Sequence, residues 1–217
     1  MLVERSLHPE FLSNAYLVAD EEGGAAVFVD SGADMKPLLQ AAGRWRVEPS
    51  YVLRTHSHHD HVVHEAELGL PVRMDAVEVG GLHVEALPTP GHSDDMVAFV
   101  VNGEAVFTGD TLFKDSVGGG DFEQVRGSVI DVLMKLPPGT RVLPGHTDET
   151  TIGREWEENP FVRVWRGEQA EGTEHVRVGG EDATLIVWSP DYDGSGKAWV
   201  RFGDGRDAIV GGSHVQR

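Results

Sequence analysis

Short apolar runs separated by turn residues fill the first hundred positions. Residues 14–19 (NAYLVA) and 25–30 (AAVFVD) predict two strands, with Gly23-Gly24 as the turn between them. Residues 35–42 (MKPLLQAA) predict a short helix with Gly43 as its stop. YVLRT at 51–55 predicts a strand, and HEAEL at 64–68 a short helix closed by Gly69. A second β-rich run follows. VEV and LHVEAL flank Gly80-Gly81, and MVAFVV and EAVFTG flank Asn102-Gly103, so two hairpins are expected. Val125, Val129, Ile130, Val132, Leu133 and Leu136 recur at helical spacing, predicting one helix over 123–136 that Pro137-Pro138-Gly139 ends. RVLPGH then reads as strand and loop, and TIGREWEEN as a helix that must end before Pro160.

Two β-rich runs, each closed by helices, argue for two packed sheets with helices outside. No residue-level repeat relates them. The pattern changes near residue 167, where RGEQAEGTE is polar and contains glycine. The expected organisation is a main domain over 1–166, a linker over 167–174, and a small all-β module over 175–217. HVRV, ATLIVWS, KAWVRF and DAIV are that module's strands, with glycine-containing turns between them. So short a piece supports only a marginal core, so it is expected to form a barrel-like unit packed on the main domain.

Composition narrows the functional classes. Eighteen Lys+Arg against 36 Asp+Glu give a formal charge of −18, which argues against a nucleic-acid grip or adhesion to anionic lipid. Cysteine is absent, so disulfides, iron–sulfur clusters, thiol nucleophiles and Cys-held zinc are excluded. Any metal must be held by nitrogen and oxygen. No apolar run approaches a membrane span, and the start MLVERSLHPEF lacks the apolar core of a signal peptide. A cytoplasmic location is the expectation. The sequence sets no oligomeric state.

The chemistry concentrates in Thr55-His56-Ser57-His58-His59-Asp60-His61, straight after an apolar strand. His56 and His58 lie two apart, so extended backbone projects both to one side. Asp60 and His61 fall at the turn into the next helix, where Asp60 could also cap it. A merely histidine-rich surface loop has no reason to sit at the mouth of a buried strand. His92 follows EALPTPG, Asp110 follows EAVFTG, and His146 follows RVLPG. Each thus sits at a strand's C-terminal end beside small residues that allow close approach. Together these make seven nitrogen and oxygen donors, enough for two cations.

HxHxDH (56–61), TPGH (89–92), TGDTLF (108–113) and PGH (144–146) resemble the motifs of the metallo-β-lactamase superfamily in their usual order. The glyoxalase II-like branch is the most similar, through GDTLFxxxVGxxDF (109–122), TTIGxExxxNPF (150–161) and the early Asp30-Ser31-Gly32 turn. The resemblance covers about residues 13–162 and implies an α+β fold, a four-layer αββα sandwich with a metal cleft along one sheet edge. It further implies that His56, His58 and His92 hold one metal, that Asp60, His61 and His146 hold the other, and that Asp110 bridges them. His59 fills the motif's free position and is expected to face solvent. His64 is expected on a helix surface, and His8, His83, His175 and His214 follow no pattern. The helical C-terminal substrate domain of glyoxalase II proper is not seen, and the segment after His61 is short.

Imidazoles and carboxylates suit two divalent ions, zinc first, with iron or manganese as alternatives. Such a pair lowers the pKa of a shared water from about 15.7 toward 7. Asp60 could orient that water, and Asp110 joins it as a catalytic candidate. The reading is a dinuclear hydrolase of activated acyl bonds, a thioester first, with a small acyl thioester or ester as partner. Ligation needs neutral histidine, so activity should fall below roughly pH 6. The alternatives are a mononuclear iron persulfide dioxygenase using His56, His92 and Asp110, a lactonase or β-lactamase, a nuclease, and a non-catalytic scaffold. Lys114, Arg154 and Arg163 could meet an anionic substrate, with surface charge as the plainer explanation.

Overall fold

Strand Asn14–Ala19 is buried along its whole length, and its alternation divides the molecule into layers. Ala15, Leu17 and Ala19 join Phe28 and the helix residues Met35, Leu38, Ala41 and Ala42 in one apolar cluster. Tyr16 and Val18 point the other way and meet Leu82, Phe99, Phe107 and Leu143 of an opposing sheet. These contacts belong to a computed structural model that describes residues 1–217.

The first sheet has the order Leu2–Leu7, Asn14–Ala19, Ala25–Val29, Glu48–Leu53, Val72–Arg73. The second runs Thr150–Thr151, Arg141–Pro144, Ala105–Gly109, Val97–Val101, Leu82–Pro88, Val77–Val79. Helix Met35–Trp45 covers the outer face of the first sheet. Val125, Val129, Leu133, Phe161 and Val162 cover the outer face of the second, against Ala98, Val100, Val106 and Val142. The result is the four-layer αββα sandwich that the resemblance implied. Phe28, Phe99 and Phe107 are fully buried in it, each stabilising the fold by about 2 kcal/mol over exposure.

A third, antiparallel sheet forms the C-terminal part, in the order Asp207–Gly211, Lys197–Phe202, Glu181–Ser189, Glu174–Val178, Val215–Gln216. Its last two strands in sequence are opposite edges joined by the short turn Gly212–His214. A flat sheet of this size would hold its edges about 19 Å apart. The chain from Gly211 to Val215 reaches about 14 Å at full stretch, so the sheet must curl. Ile186, Val187, Trp199 and Ile209 share one cluster with Phe122, Val125 and Phe161 of the outer helices. Residue Gly120 bridges to Ile209, and Ser116 Oγ lies 2.8 Å from Ser189 Oγ. No helix is long and apolar enough to cross a membrane.

Local details depart from the sequence expectations. The first helix does not stop at Gly43 but runs to Trp45, with Arg46 taking the left-handed cap. A glycine inside a helix costs about 1 kcal/mol, which the packing of Trp45 on the cluster offsets. The single helix expected over 123–136 is instead an α-helix Phe122–Gly127, a π turn Ser128–Val132 and a 3-10 turn Leu133–Lys135. Its register follows the burial of Val125, Val129 and Leu133, while Ser128 Oγ donates to Pro90 O at 2.7 Å. Strand Leu2–Leu7 and helix Pro160–Trp165 carry no strong pattern and were not expected. The former forms by pairing along its full length with Asn14–Ala19.

Candidate metal centre

Four strands of the sandwich deliver the candidate residues from their C-terminal ends. Glu48–Leu53 leads to His56, His58, Asp60 and His61, the last two in the helical turn His59–Val62. Leu82–Pro88 leads to His92, Ala105–Gly109 to Asp110, and Arg141–Pro144 to His146. Backbone bonds draw these ends together. Val97 N donates to Thr55 O at 2.8 Å, Gly145 N to Gly109 O at 2.8 Å, and Asn14 N to Gly145 O at 2.7 Å. A Cβ on Gly145 would lie 2.2 Å from Asp110 Oδ1, so only glycine lets His146 come this close.

All seven side chains converge. His56, His58 and His92 form one group, His56, His61 and Asp110 a second, and Asp60, His61 and His146 a third, with donor atoms in each within 4.8 Å. The Asp110 carboxylate joins both ends of the cluster. Its Oδ1 lies 3.4 Å from His61 Nε2, and its Oδ2 lies 3.4 Å from His146 Nε2 and 3.6 Å from His92 Nε2. Asp60 Oδ2 lies 3.4 Å from His146 Nε2 and 3.5 Å from His61 Nε2. The buried group of two histidines and one carboxylate contains His61 where the sequence reading had His92. His59 is exposed, as its place in the motif suggests.

Outer hydrogen bonds fix which ring nitrogen faces inward. His146 Nδ1 donates to Leu12 O at 2.8 Å, and His92 Nδ1 to Gly119 O at 2.9 Å. His61 Nδ1 donates to Asp30 Oδ2 at 2.8 Å. Thr55 Oγ1 gives its proton to Asp30 Oδ2 at 2.8 Å, so it accepts from His56 Nδ1 at 3.1 Å. Each of these four rings therefore presents an Nε2 lone pair to the centre. His58 instead presents Nδ1, which lies 3.1 Å from His56 Nε2 and 2.8 Å from His92 Nε2.

That crowd of acceptors has the chemistry of a cation cage. His61 Nε2, His146 Nε2 and Asp110 Oδ1 are buried with no hydrogen-bond partner. Leaving such atoms unsatisfied costs about 1–3 kcal/mol each unless something positive serves them. The electrostatics split the cage in two. Burial pushes His56 down to about 4 and also lowers His92. Burial opposes the charged form of His146 too, but Asp110 and Asp60 outweigh it and lift it to about 9. For His61, Asp110 and Asp30 outweigh burial in the same direction. Asp110 is held well below the carboxylate range because His146 and His61 overcome its burial. Without a cation, protons supply the positive charge this half demands. The donor set and the orphaned atoms both fit divalent ions.

Supporting residues come from places the sequence reading did not mark as functional. Asp30, noted only as part of a turn, takes the left-handed conformation (φ 54°) and ties Thr55 and His61 together. Asp95 accepts from Ser57 Oγ and, at 2.8 Å, from Ser93 Oγ, joining the loops of His58 and His92. Tyr192, from the third sheet, stacks on the His146 ring with centroids 3.7 Å apart and planes 8° apart. Burial and the carboxylates of Asp110, Asp191 and Asp60 raise its phenol above the ordinary range. Two-residue spacing cannot reveal partners that arrive from distant loops.

Motif residues outside the cage have a structural role. Glu155 is fully buried and accepts from Thr150 Oγ1 at 2.6 Å, Asp115 N at 2.8 Å and Asn159 Nδ2 at 3.0 Å. Asn159 Nδ2 also donates to Ser116 O at 3.0 Å. This network clamps the small hairpin of Leu112–Phe113 and Ser116–Val117 that follows Asp110. Arg154 pairs with Asp115 at 2.8 Å, Glu155 at 2.7 Å and Glu158 at 2.9 Å, so its charge is spent within the fold. Lys114 lines a cleft beside Tyr192 and Thr147.

Comparison with known proteins agrees with this architecture. Residues 8–63, which contain the histidine cluster of the first motif, match the family profile of the metallo-beta-lactamase superfamily. An uncharacterised protein of Mycobacterium tuberculosis is 32% identical over 206 residues, covering 69% of this chain and 92% of its own. The hydroxyacylglutathione hydrolase GloC of Haemophilus influenzae is 28% identical over 200 residues, covering 70% of this chain and 93% of its own. Among solved structures, ETHE1 from Myxococcus xanthus superposes with a TM-score of 0.68 at 30% identity, over 76% of this chain and 85% of that one. TTHA1623, solved in a di-iron-bound form, gives 0.60 at 33% identity, over 72% and 98%. The chain belongs to the metallo-β-lactamase superfamily.

Proposed function

We propose that this chain is a dinuclear metal-dependent hydrolase of activated acyl bonds, with a small acyl thioester as substrate. The observation that carries the reading is Asp110. Its two carboxylate oxygens touch histidines from both ends of the cage, as a bridge between two cations requires. His56, His58 and His92 would hold one ion, and Asp60, His61 and His146 the other. Two divalent cations, zinc first, would supply a hydroxide-strength nucleophile near neutral pH and a Lewis acid toward an acyl carbonyl.

The chain's own groups do the rest. Asp60 is the more exposed of the two carboxylates, so it could orient an attacking water by accepting a hydrogen bond from it. Asp30, Leu12 O and Gly119 O keep His61, His146 and His92 in the tautomers that leave Nε2 free. The two carboxyl groups that line the adjoining cleft, Asp115 and Asp148, are engaged by Arg154 and Arg5, which leaves no free carboxylic acid there to protonate a leaving group. A thioester suits that deficit, because a thiolate with pKa near 8.5 leaves without much protonation. The similarity to a hydroxyacylglutathione hydrolase supports the same substrate class.

A persulfide dioxygenase with a single iron is the second reading. It is favoured by the compact buried group of His56, His61 and Asp110, two histidines and one carboxylate. One experiment separates the two. Purified protein is assayed for zinc and iron, then for thiol release from acyl thioesters and for oxygen uptake with a thiol persulfide. Close to two metal ions per chain with thioester turnover is the expected result. Oxygen uptake with one iron and no thioester turnover would overturn it.

A further inference from the structure

The third sheet reaches into the cage through one loop, Pro190–Gly196, between the strands Glu181–Ser189 and Lys197–Phe202. The loop is not free to wander. Lys197 Nζ pairs with Asp191 Oδ2 at 2.9 Å, both side chains nearly inaccessible to solvent. Tyr192 N donates to Asp191 Oδ1 at 2.9 Å, and Gly194 N to Asp191 O at 3.1 Å. At the far end, Gly212 N donates to Gly196 O at 2.6 Å. The Ser116–Ser189 contact joins the preceding strand to the hairpin after Asp110. A rigid loop thus carries Tyr192 to a defined place.

That place is the face of His146. The two rings stack at 3.7 Å, and Phe113 meets both edge-on, at 5.8 Å from His146 and 6.0 Å from Tyr192. Leu12 O fixes the His146 ring at Nδ1, which sets the direction of Nε2 but leaves the ring free to tilt about that bond. A flat, apolar face on one side and a phenyl edge on another remove the tilt. Tyr192 also lines a cleft of about 370 Å³, whose charged walls are Arg5, Lys114, Asp115 and Asp148 and whose apolar ones are Leu7 and Leu12. This volume is in the range that holds a small ligand.

We propose that Tyr192 is a positioning residue for His146 and one wall of the substrate cleft, so that the C-terminal sheet completes the catalytic site. The proposal rests on the assignment of His146 as a metal ligand. Stacking by itself is also what plain packing produces, so the ring and the bulk must be tested apart.

The test uses the full-length, zinc-loaded protein and reads zinc release into excess chelator, a measurement that needs no substrate. Partners that orient a metal-binding histidine typically alter metal affinity 10–100-fold. Tyr192→Ala should release its more weakly held zinc about tenfold faster than wild type. Tyr192→Phe, which keeps the flat ring, should restore the wild-type rate. In thioester hydrolysis, Tyr192→Ala should raise KM more than it lowers kcat, since the cleft loses a wall. If Tyr192→Ala melts early, Tyr192→Leu replaces it, filling the space without a flat face. Zinc release within about twofold of wild type in the Ala or Leu variant overturns the proposal, as does a Phe variant no slower than Ala. A wild-type protein that holds two zinc ions while the variants behave alike sinks this inference alone. Wild type without zinc sinks the metal assignment beneath it.

Discussion

Two buried polar clusters lie near Asp110, and they are built on opposite principles. Around Glu155 the donors and acceptors are matched. Both carboxylate oxygens are used by Thr150, Asp115, Arg154 and Asn159. Around Asp110 the acceptors outnumber the donors, and three buried atoms have no partner. A matched cluster holds a fold together. An unmatched one, kept at a cost of kilocalories, marks where something absent from the polypeptide belongs. Both clusters arise from motifs of one resemblance, TGDTLF and TTIGxExxxNPF, yet only the first leaves buried acceptors without partners.

Breaking each cluster should therefore have different consequences. Asp110→Ala has the largest expected effect. Thioester turnover should fall about 10³-fold or more, since loss of several kcal/mol of transition-state stabilisation follows from an incomplete metal pair. Elemental analysis should find the bound metal well below wild type while far-ultraviolet circular dichroism is unchanged. Near-normal turnover in that variant is incompatible with a bridging role. Glu155→Ala should act the other way round. Removing the shared acceptor leaves the donors of Thr150, Asp115, Arg154 and Asn159 short of a partner and lowers stability by about 3 kcal/mol in a denaturant titration. Metal content per folded chain should stay at the wild-type level. A variant of normal stability that loses its metal would reverse the assignment of the two clusters.

The smallest effect is one of pH. In protein stripped by chelator, His146 titrates at about 9 instead of 6.5, and His61 shifts in the same direction. A raised folded-state value stabilises below the unfolded value and is lost as pH climbs through the folded one. Stripped protein should thus melt at progressively lower temperature between about pH 6.5 and 9. Loaded protein should show the opposite trend, because cations compete with protons for the same imidazoles. Parallel melting curves for the two forms across that window would contradict a cage that exchanges protons for metal.

How far could these features be read in advance? The seven residues stood out because their signals are local: the run His56-Ser57-His58-His59-Asp60-His61 straight after an apolar strand, and a polar residue after each of three Gly-containing strand ends. The two packed sheets were legible from two β-rich runs, each closed by helical segments. What holds the cage in place was not. Leu12 and Gly119 act through backbone carbonyls, which no side-chain pattern encodes. Asp30 and Asp95 resemble ordinary turn residues until the fold brings Thr55 and Ser57 to them. Tyr192 lies 46 positions beyond His146, and nothing near it in sequence hints at stacking. Helix limits failed for the same kind of reason. Trp45 extends a helix past Gly43 through tertiary contact, and the burial of Val129 and Leu133 imposes a π turn.

The curl of the third sheet has a consequence for solubility. Strand ribbons with open amide edges recruit other chains and seed aggregates. Here one edge, Asp207–Gly211, is met by Gly120 of the sandwich, and the other is two residues long. These contacts shorten the stretch of edge left open to an additional strand. A second molecule meeting this end of the protein would also find side chains, such as the exposed indole of Trp188.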